Sequence, residues 1–350
     1  MTELETHMAH EIAEAPEAVA RMLGVNAKAL AELGRLYRER KPSHIVTCAR
    51  GSSDCAASYF KYLVEITLGL PCCSVGASVV SVYGARLALR DTLLLTISQS
   101  GKSPDIVAFQ AEAKRAGIPT LAVTNTEDSP LAREADLCLP LCAGPERSVA
   151  ATKTFIAYAA MAAALVAACS DDREFADAVE ALPDDLTQAL AIRWSEVEDV
   201  LSPAASAYVL GRGPSLPMAQ EAALKLKETS GLHAEAYSAA EVIHGPMELI
   251  VPGFPVVVLA PKDKAFATTQ ATARRLAEAG AKVMTPDYAR ARHPLLDPVS
   301  MIQSFYGSAE CIARRRGRDP DRPRLSLGSY CTAATTKKMP EIKNTTERAA

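Results

Sequence analysis

Neither sign of charge prevails in this chain of 350 residues, where 38 Lys+Arg stand against 41 Asp+Glu for a net charge of −3. That balance removes the electrostatic reason to expect nucleic acid or an anionic membrane surface. Long apolar runs are missing too. The apolar stretch Phe155 to Cys169 falls short of the roughly 20 residues that span a bilayer and reads as an alanine-rich helix buried on most sides. The first residues are acidic and Ala-rich, so no secretory signal is expected. The nine cysteines are odd in number, show no C-x-x-C spacing and include the adjacent pair Cys72-Cys73. Reduced thiols in a cytoplasm fit that usage better than a disulfide framework. Cys138 and Cys142 lack a matching second pair, so no metal is expected there. Dinucleotide chemistry is disfavoured because neither Arg-Gly turn, at Arg50 or Arg212, continues as G-x-G-x-x-G.

What remains is a globular chain, 49% hydrophobic and 23% charged, long enough for one large domain or two ordinary ones. It opens on an amphipathic stretch, Met8–Leu23, where His10 and the preceding His7 are expected to face solvent. Pro16 is expected to kink that stretch, leaving one or two short helices.

The most informative segment is the β-rich run Leu93–Ile97 entering Ser98-Gln99-Ser100-Gly101-Lys102-Ser103, followed by Pro104. Ser103 is placed as an N-cap and Pro104 as the first helical residue, so free backbone N–H groups and hydroxyls face whatever occupies the loop. Such a loop suits a phosphate. It is not a nucleotide P-loop, because Thr96 stands where that motif needs glycine. An ordinary strand–helix turn remains the competing reading.

The chain also repeats itself. Ile45–Ser53, a strand running into Arg50-Gly51 and a helix through Leu63, returns about 162 residues later as Ala207–Ser215 with Arg212-Gly213. The strand Leu93–Ile97 has its counterpart in Pro255–Ala260, and the ends Arg115-Ala116-Gly117 and Glu278-Ala279-Gly280 each precede a fresh strand, Thr120–Thr124 and Lys282–Thr285. Apolar strands alternating with helices imply βαβ units and parallel sheets covered on both faces. The reading is therefore α/β, two tandem domains of flavodoxin-like or Rossmann-like build, with ligand loops at the carboxyl edge. Between them, Phe175–Leu190 and Ile192–Leu201 read as helices.

The paired repeats, the SQSGKS loop, the run Gln220–Glu228 (QEAALKLKE), His233–Tyr237 (HAEAY) and Glu241–Pro246 (EVIHGP) together resemble sugar isomerase (SIS) domains. They resemble in particular the isomerase half of glucosamine-6-phosphate synthases, from about Met8 to Arg324. Residue 2 is Thr2 instead of the synthase's nucleophilic cysteine, so its glutaminase domain is expected to be absent. The stretch Glu146–Phe155 looks more like stand-alone SIS-type glucosamine-6-phosphate deaminases. The resemblance thus implies conversion of glucosamine 6-phosphate and water to fructose 6-phosphate and ammonia, without cofactor or metal. Rival readings are a phosphosugar aldose–ketose isomerase, a deaminase or deglycase on another amino sugar phosphate, and a non-catalytic phosphosugar sensor.

The implied organisation is an N-terminal helical segment (residues 1–34), a first SIS domain binding the sugar phosphate (35–170), a helical linker (171–206), a second SIS domain with the catalytic groups (207–324) and an atypical tail (325–350). By resemblance the phosphate falls to Ser98, Gln99, Ser100, Ser103 and Ser53, and the sugar to the backbone of Val149. Lys102 is left as a solvated lysine. Glu228 matches the base that moves a proton between C2 and C1, and His244 the ring-opening acid/base, with imidazole suited to that work near neutral pH. Lys225, three residues before Glu228 on one helical face, polarises the C1/C2 oxygens or holds the open chain. An ordinary solvated i,i+3 ion pair is the competing reading for that pair. Glu221, Glu235 and Tyr237 belong to the same signature as supports. In relatives the histidine serves the neighbouring subunit, which implies a homodimer. The lysine that relatives carry in a closing tail corresponds here to Lys343 or is missing.

Overall fold

The computed structural model describes residues 6–324. In chain order the elements are α1 (His7–Glu39), β1 (His44–Cys48), α2 (Ser52–Leu63), β2 (Cys72–Ser74), α3 (Ser78–Ser81), β3 (Thr92–Ile97), α4 (Pro104–Arg115), β4 (Thr120–Thr124), α5 (Pro130–Glu134), β5 (Leu137–Pro140) and α6 (Lys153–Cys169). They continue as α7 (Arg173–Glu180), α8 (Leu182–Leu190), α9 (Ser195–Leu201), β6 (Ser206–Gly211), α10 (Leu216–Ser230), β7 (His233–Ser238), β8 (Pro255–Val258), α11 (Phe266–Glu278), β9 (Lys282–Met284) and α12 (Asp297–Arg315).

Every strand pairing is parallel, in two sheets ordered β2-β1-β3-β4-β5 and β7-β6-β8-β9. The first order is that of flavodoxin-like sheets, with the switch point between β1 and β3. The repeat carries β1 onto β6 and β3 onto β8, so each half pairs its first and third strands at the sheet centre. β4 is buried along its whole length and β6 on all but its first residue, as apolar strands covered by helices on both faces should be.

One core runs through both halves. Met8 of α1, Tyr59 of α2, Phe155 of α6, Phe175 of α7, Val209 of β6 and Phe305 of α12 belong to a single buried cluster. Two smaller clusters cover the outer faces, Leu94 with Ile106 and Phe109 in the first half and Val256 with Leu276 in the second. α6 is buried from Lys153 to Ala167, which its all-round apolar surface requires. α1 lies along it so closely that a Cβ on Gly34 would sit 2.1 Å from the carbonyl oxygen of Ala168.

The amino-terminal segment departs from its sequence reading. It forms one helix of 33 residues, and Pro16 lies inside it rather than dividing it into short pieces. Proline removes the N–H that would bond the Ile12 carbonyl four residues back. The side-chain amide of Gln303 in α12 donates to that oxygen at 2.9 Å instead. Tertiary structure thus supplies the bond that local sequence withholds.

Candidate active site

The loop Ser98–Ser103 is held from below by its neighbours. The Ser98 N–H donates to the Val123 carbonyl at 3.2 Å, and the Gln99 carbonyl accepts from the Asn125 N–H at 3.2 Å and the Thr124 hydroxyl at 3.2 Å. Gly101 has φ +59°, and a Cβ there would lie 2.1 Å from the Ser129 hydroxyl, so only glycine fits without displacement. Ser103 occupies the N-cap of α4 with Pro104 next, as its sequence indicates, yet its hydroxyl does not bond back to the helix. Ser103 therefore marks the helix start while leaving its oxygen available. Ser98 is buried, Gln99, Ser100 and Ser103 are half-buried, and Lys102 is exposed. Beside this loop Arg50 pairs with Asp105 of α4 at 3.1 Å, tying the two strand-end turns together. Ser53, half-buried in the first turn of α2, lies next to the buried Tyr158 of α6.

The second half contributes α10. Glu221, Lys225 and Glu228 fall at i, i+4 and i+7 and so share one face. The Lys225 Nζ lies 2.5 Å from Glu228 Oε2 and 3.6 Å from Glu221 Oε1. The Tyr306 hydroxyl of α12 donates to Glu221 Oε1 at 2.9 Å. Exposure grades along the row: the side chain of Glu221 is 0% exposed, that of Lys225 2% and that of Glu228 32%. The solvated-pair reading of Lys225 and Glu228 fails on that burial.

Burial pushes the Glu221 carboxyl up to about 7, against the pull of Lys225 and of the Ser52 hydroxyl. Burial also draws the Lys225 ammonium down, but Glu221 and Glu228 together outweigh it and hold the pKa above the usual value. Lys225 is therefore a charged ammonium, anchored from inside by one carboxylate and offering its contact to the other. Cys55 of α2 shares this electrostatic surrounding, and burial raises its thiol far above the ordinary range, which leaves it inert.

α10 packs directly against α2. Glu221 meets Ser52 at the start of α2, Lys225 and Glu228 act electrostatically on Cys55 of the same helix, and α2 follows β1, the strand paired with β3 that leads into the loop Ser98–Ser103. Val149 lies in the segment between β5 and α6, which the N-terminal helix fixes. The Glu11 carboxylate accepts the N–H groups of Arg147 and Ser148, and the Val149 N–H donates to the Asp321 carbonyl at 3.3 Å. Asp321 also takes the N–H groups of His7 and Met8 on its side chain, both at 2.8 Å.

His244 is not brought to this cluster within the chain. It is exposed, in the turn after β7, with its N–H on the Glu241 carbonyl. Of the three supports, only Glu221 touches Lys225; Tyr237 packs edge-on against Tyr208 at 5.0 Å, with Glu235 nearby on β7. Sequence reasoning assigned no role to Glu146, a buried carboxylate that accepts the Thr152 N–H at 2.7 Å and faces Lys225 electrostatically. It also missed Tyr306 and Ser52, whose partners lie far away in the chain.

The repeat does not duplicate the site. At the turn matching Arg50–Ser53, the Ser215 hydroxyl bonds the Arg212 N–H at 2.9 Å and the Leu259 carbonyl at 3.0 Å. A Cβ on Gly211 would meet the Ser215 carbonyl oxygen at 2.4 Å, so the space is filled by the chain's own atoms. Among the described residues no group of three or more His, Cys, Asp or Glu is placed to hold a metal, and no helix is long and apolar enough to cross a membrane. Lys343 lies outside the described residues.

Comparison with known proteins agrees with this architecture. The chain is 33% identical over 352 residues to a glutamine–fructose-6-phosphate aminotransferase (isomerizing) of Bradyrhizobium diazoefficiens, which covers 91% of this chain but 57% of the relative. The chain spans about half the length of the curated relatives it matches. Among solved structures, a protein of Silicibacter pomeroyi DSS-3 described provisionally as a phosphosugar isomerase has a TM-score of 0.86 and 44% identity, covering 91% of this chain and 100% of its own. The C-terminal domain of glucosamine-fructose-6-phosphate aminotransferase from Francisella tularensis has a TM-score of 0.79 at 27% identity, covering 92% and 99%. With the SIS domain pattern matching residues 39–168 and 200–285, on two parallel sheets of the expected kind, the chain belongs to the SIS domain family.

Proposed function

We propose that this protein is a phosphosugar aldose–ketose isomerase acting on an amino sugar phosphate, and specifically that it converts glucosamine 6-phosphate and water to fructose 6-phosphate and ammonia. The observation that carries the reading is the buried Lys225 ammonium 2.5 Å from the partly exposed Glu228, both acting electrostatically on Cys55 of α2. The hydroxyl loop of Ser98, Gln99, Ser100 and Ser103, with Ser53, holds the phosphate through its O–H and N–H donors. Val149 holds the sugar chain by its backbone. Glu228 takes the C2 proton of the open-chain aldehyde and returns it to C1, while Lys225 steadies charge building on the C1 oxygen. The C2 imine so formed adds water and releases ammonia. No step calls for a metal or an organic cofactor.

His244 opens the ring from the partner's side of a homodimer. Exposed Leu249 and Val251, close after His244 in sequence, offer apolar surface to such a partner. The free thiols of the described cysteines suit a cytoplasmic setting.

Ammonia release measured over a panel of amino sugar 6-phosphates tests the reading. The expected result is ammonia and fructose 6-phosphate from glucosamine 6-phosphate, with Glu228→Gln reducing kcat by about 10³-fold or more while binding persists. Aldose–ketose exchange without ammonia would leave the isomerase and remove the deaminase. Binding without either product would leave a sensor.

A further inference from the structure

The amino edge of the first sheet carries a cavity that the chemistry above does not use. Its volume is about 460 Å³, within the roughly 300–1,000 Å³ range of small-molecule sites. It lies where β1, β3 and β4 begin, whereas the loop Ser98–Ser103 leaves the opposite end of the six-residue strand β3. Its walls include Ile45, Phe60, Val64, Leu121, Leu165 and Val166, none more than 4% exposed. Close-packed interiors leave few openings of this kind. Beyond Leu63 the chain of α2 runs on as a π-helical turn, Val64–Leu68, and both ends of that turn line the cavity. Such widened turns recur at functional sites.

The mouth is polar and carries both signs of charge. Arg40, just past α1, and Asp91, just before β3, line it and are exposed, and among the described residues neither side chain has a bonded or charged partner. The other charges close by are already matched, since Glu39 pairs with Arg35 and Lys41 lies over the Tyr37 ring at 5.7 Å. The two free charges sit on segments that are stitched together. The Ser43 N–H and hydroxyl both donate to the Asp91 carbonyl, at 2.8 and 3.0 Å. Those bonds hold Asp91 at φ +49°, in the left-handed region that residues other than glycine seldom occupy.

A phosphosugar has no apolar group to cover such walls, and a hydrocarbon would leave both rim charges unmatched. A fatty acid or an alkylamine would match one of them. A zwitterion with an apolar body matches both. We propose that this cavity binds a free α-amino acid with a large apolar side chain. The side chain fills the apolar space, the carboxylate meets the Arg40 guanidinium, whose planar fork suits it, and the ammonium meets the Asp91 carboxylate. No bond is made or broken there. The ligand would touch the starts of β1 and β3 and the turn that ends α2, the same three elements whose other ends carry Ser52, Ser53 and the loop Ser98–Ser103.

Calorimetric titration of the full chain with phenylalanine, 3-phenylpropanoate and 2-phenylethylamine tests the site, the two analogues lacking the ammonium and the carboxylate respectively. Phenylalanine should bind about fivefold more tightly than either analogue. Alanine, with nothing to cover the walls, should bind at least about tenfold more weakly than phenylalanine. Arg40→Gln should erase the preference over 2-phenylethylamine and keep that over 3-phenylpropanoate. Asp91→Asn should do the opposite, asparagine being tolerated in the left-handed region. Both changes are at exposed side chains, so unfolding does not stand in for lost binding. Saturating fructose 6-phosphate should leave the phenylalanine affinity unchanged. No binding at millimolar phenylalanine, equal binding of phenylalanine and both analogues, or preferences that survive both variants overturns the site. Competition by fructose 6-phosphate overturns it as well, because phenylalanine would then occupy the sugar's place.

Discussion

Gly101 sets the shape of the loop Ser98–Ser103. Its left-handed backbone and the nearby Ser129 hydroxyl leave no room for a methyl group, and that hydroxyl itself caps α5 by accepting the Ala132 N–H at 3.3 Å. Gly101→Ala must move either the loop or the cap. It is expected to weaken phosphosugar binding by about tenfold and to lower stability by about 1–2 kcal/mol, read by calorimetry and denaturant titration. Unaltered affinity would remove Gly101 from the binding geometry. At this scale the sequence was informative wherever spacing alone decides. A three-residue step on a helix placed Lys225 and Glu228 together, and a serine before proline located the start of α4. It could not show that Glu221 is sealed inside by Tyr306, because that contact joins residues 85 apart across two helices. The roles of Ser52 and Glu146 depend in the same way on which half meets which.

Among the elements, α1 and α6 are the pair whose spacing is least forgiving. The Gly34 backbone lies against the Ala168 carbonyl, so Gly34→Ala must push the helices apart despite alanine's better helix propensity. A loss of about 1–3 kcal/mol is expected by thermal and denaturant unfolding. A stabilised variant would show that the two helices separate freely. Strongly periodic or long apolar segments were legible here: α6, the strands around Leu94 and Val257, and the helices after residue 171 all lie where composition puts them. Pro16 misled because its cost is met by Gln303, nearly 300 residues away. The short strands β2 and β5, three and four residues long, carry too little pattern to read and owe their state to pairing with β1 and β4.

For the molecule as a whole, the reading requires His244 from a second copy. Mixing Glu228→Gln chains with His244→Asn chains tests that arrangement. Each hybrid dimer would hold one site with both groups intact, so an equal, freely exchanged mixture should recover about a quarter of wild-type activity. No recovery would place both groups in one chain, whereas activity of the His244→Asn chains by themselves would put His244 outside the reaction. The doubled architecture was visible in the sequence as repeated strands and turns. Its asymmetry was not, since Arg50-Gly51-Ser52-Ser53 and Arg212-Gly213-Pro214-Ser215 differ as text only at Ser52 against Pro214, and what Ser52 and Ser215 reach is set by distant residues.

That difference fixes a stoichiometry. Because the Ser215 hydroxyl accepts the Arg212 N–H and donates to the Leu259 carbonyl, the side chain that matches Ser53 has no hydrogen left over for a ligand oxygen. Two lobes descended from one pattern then hold a single sugar, and titration should saturate at one equivalent per polypeptide.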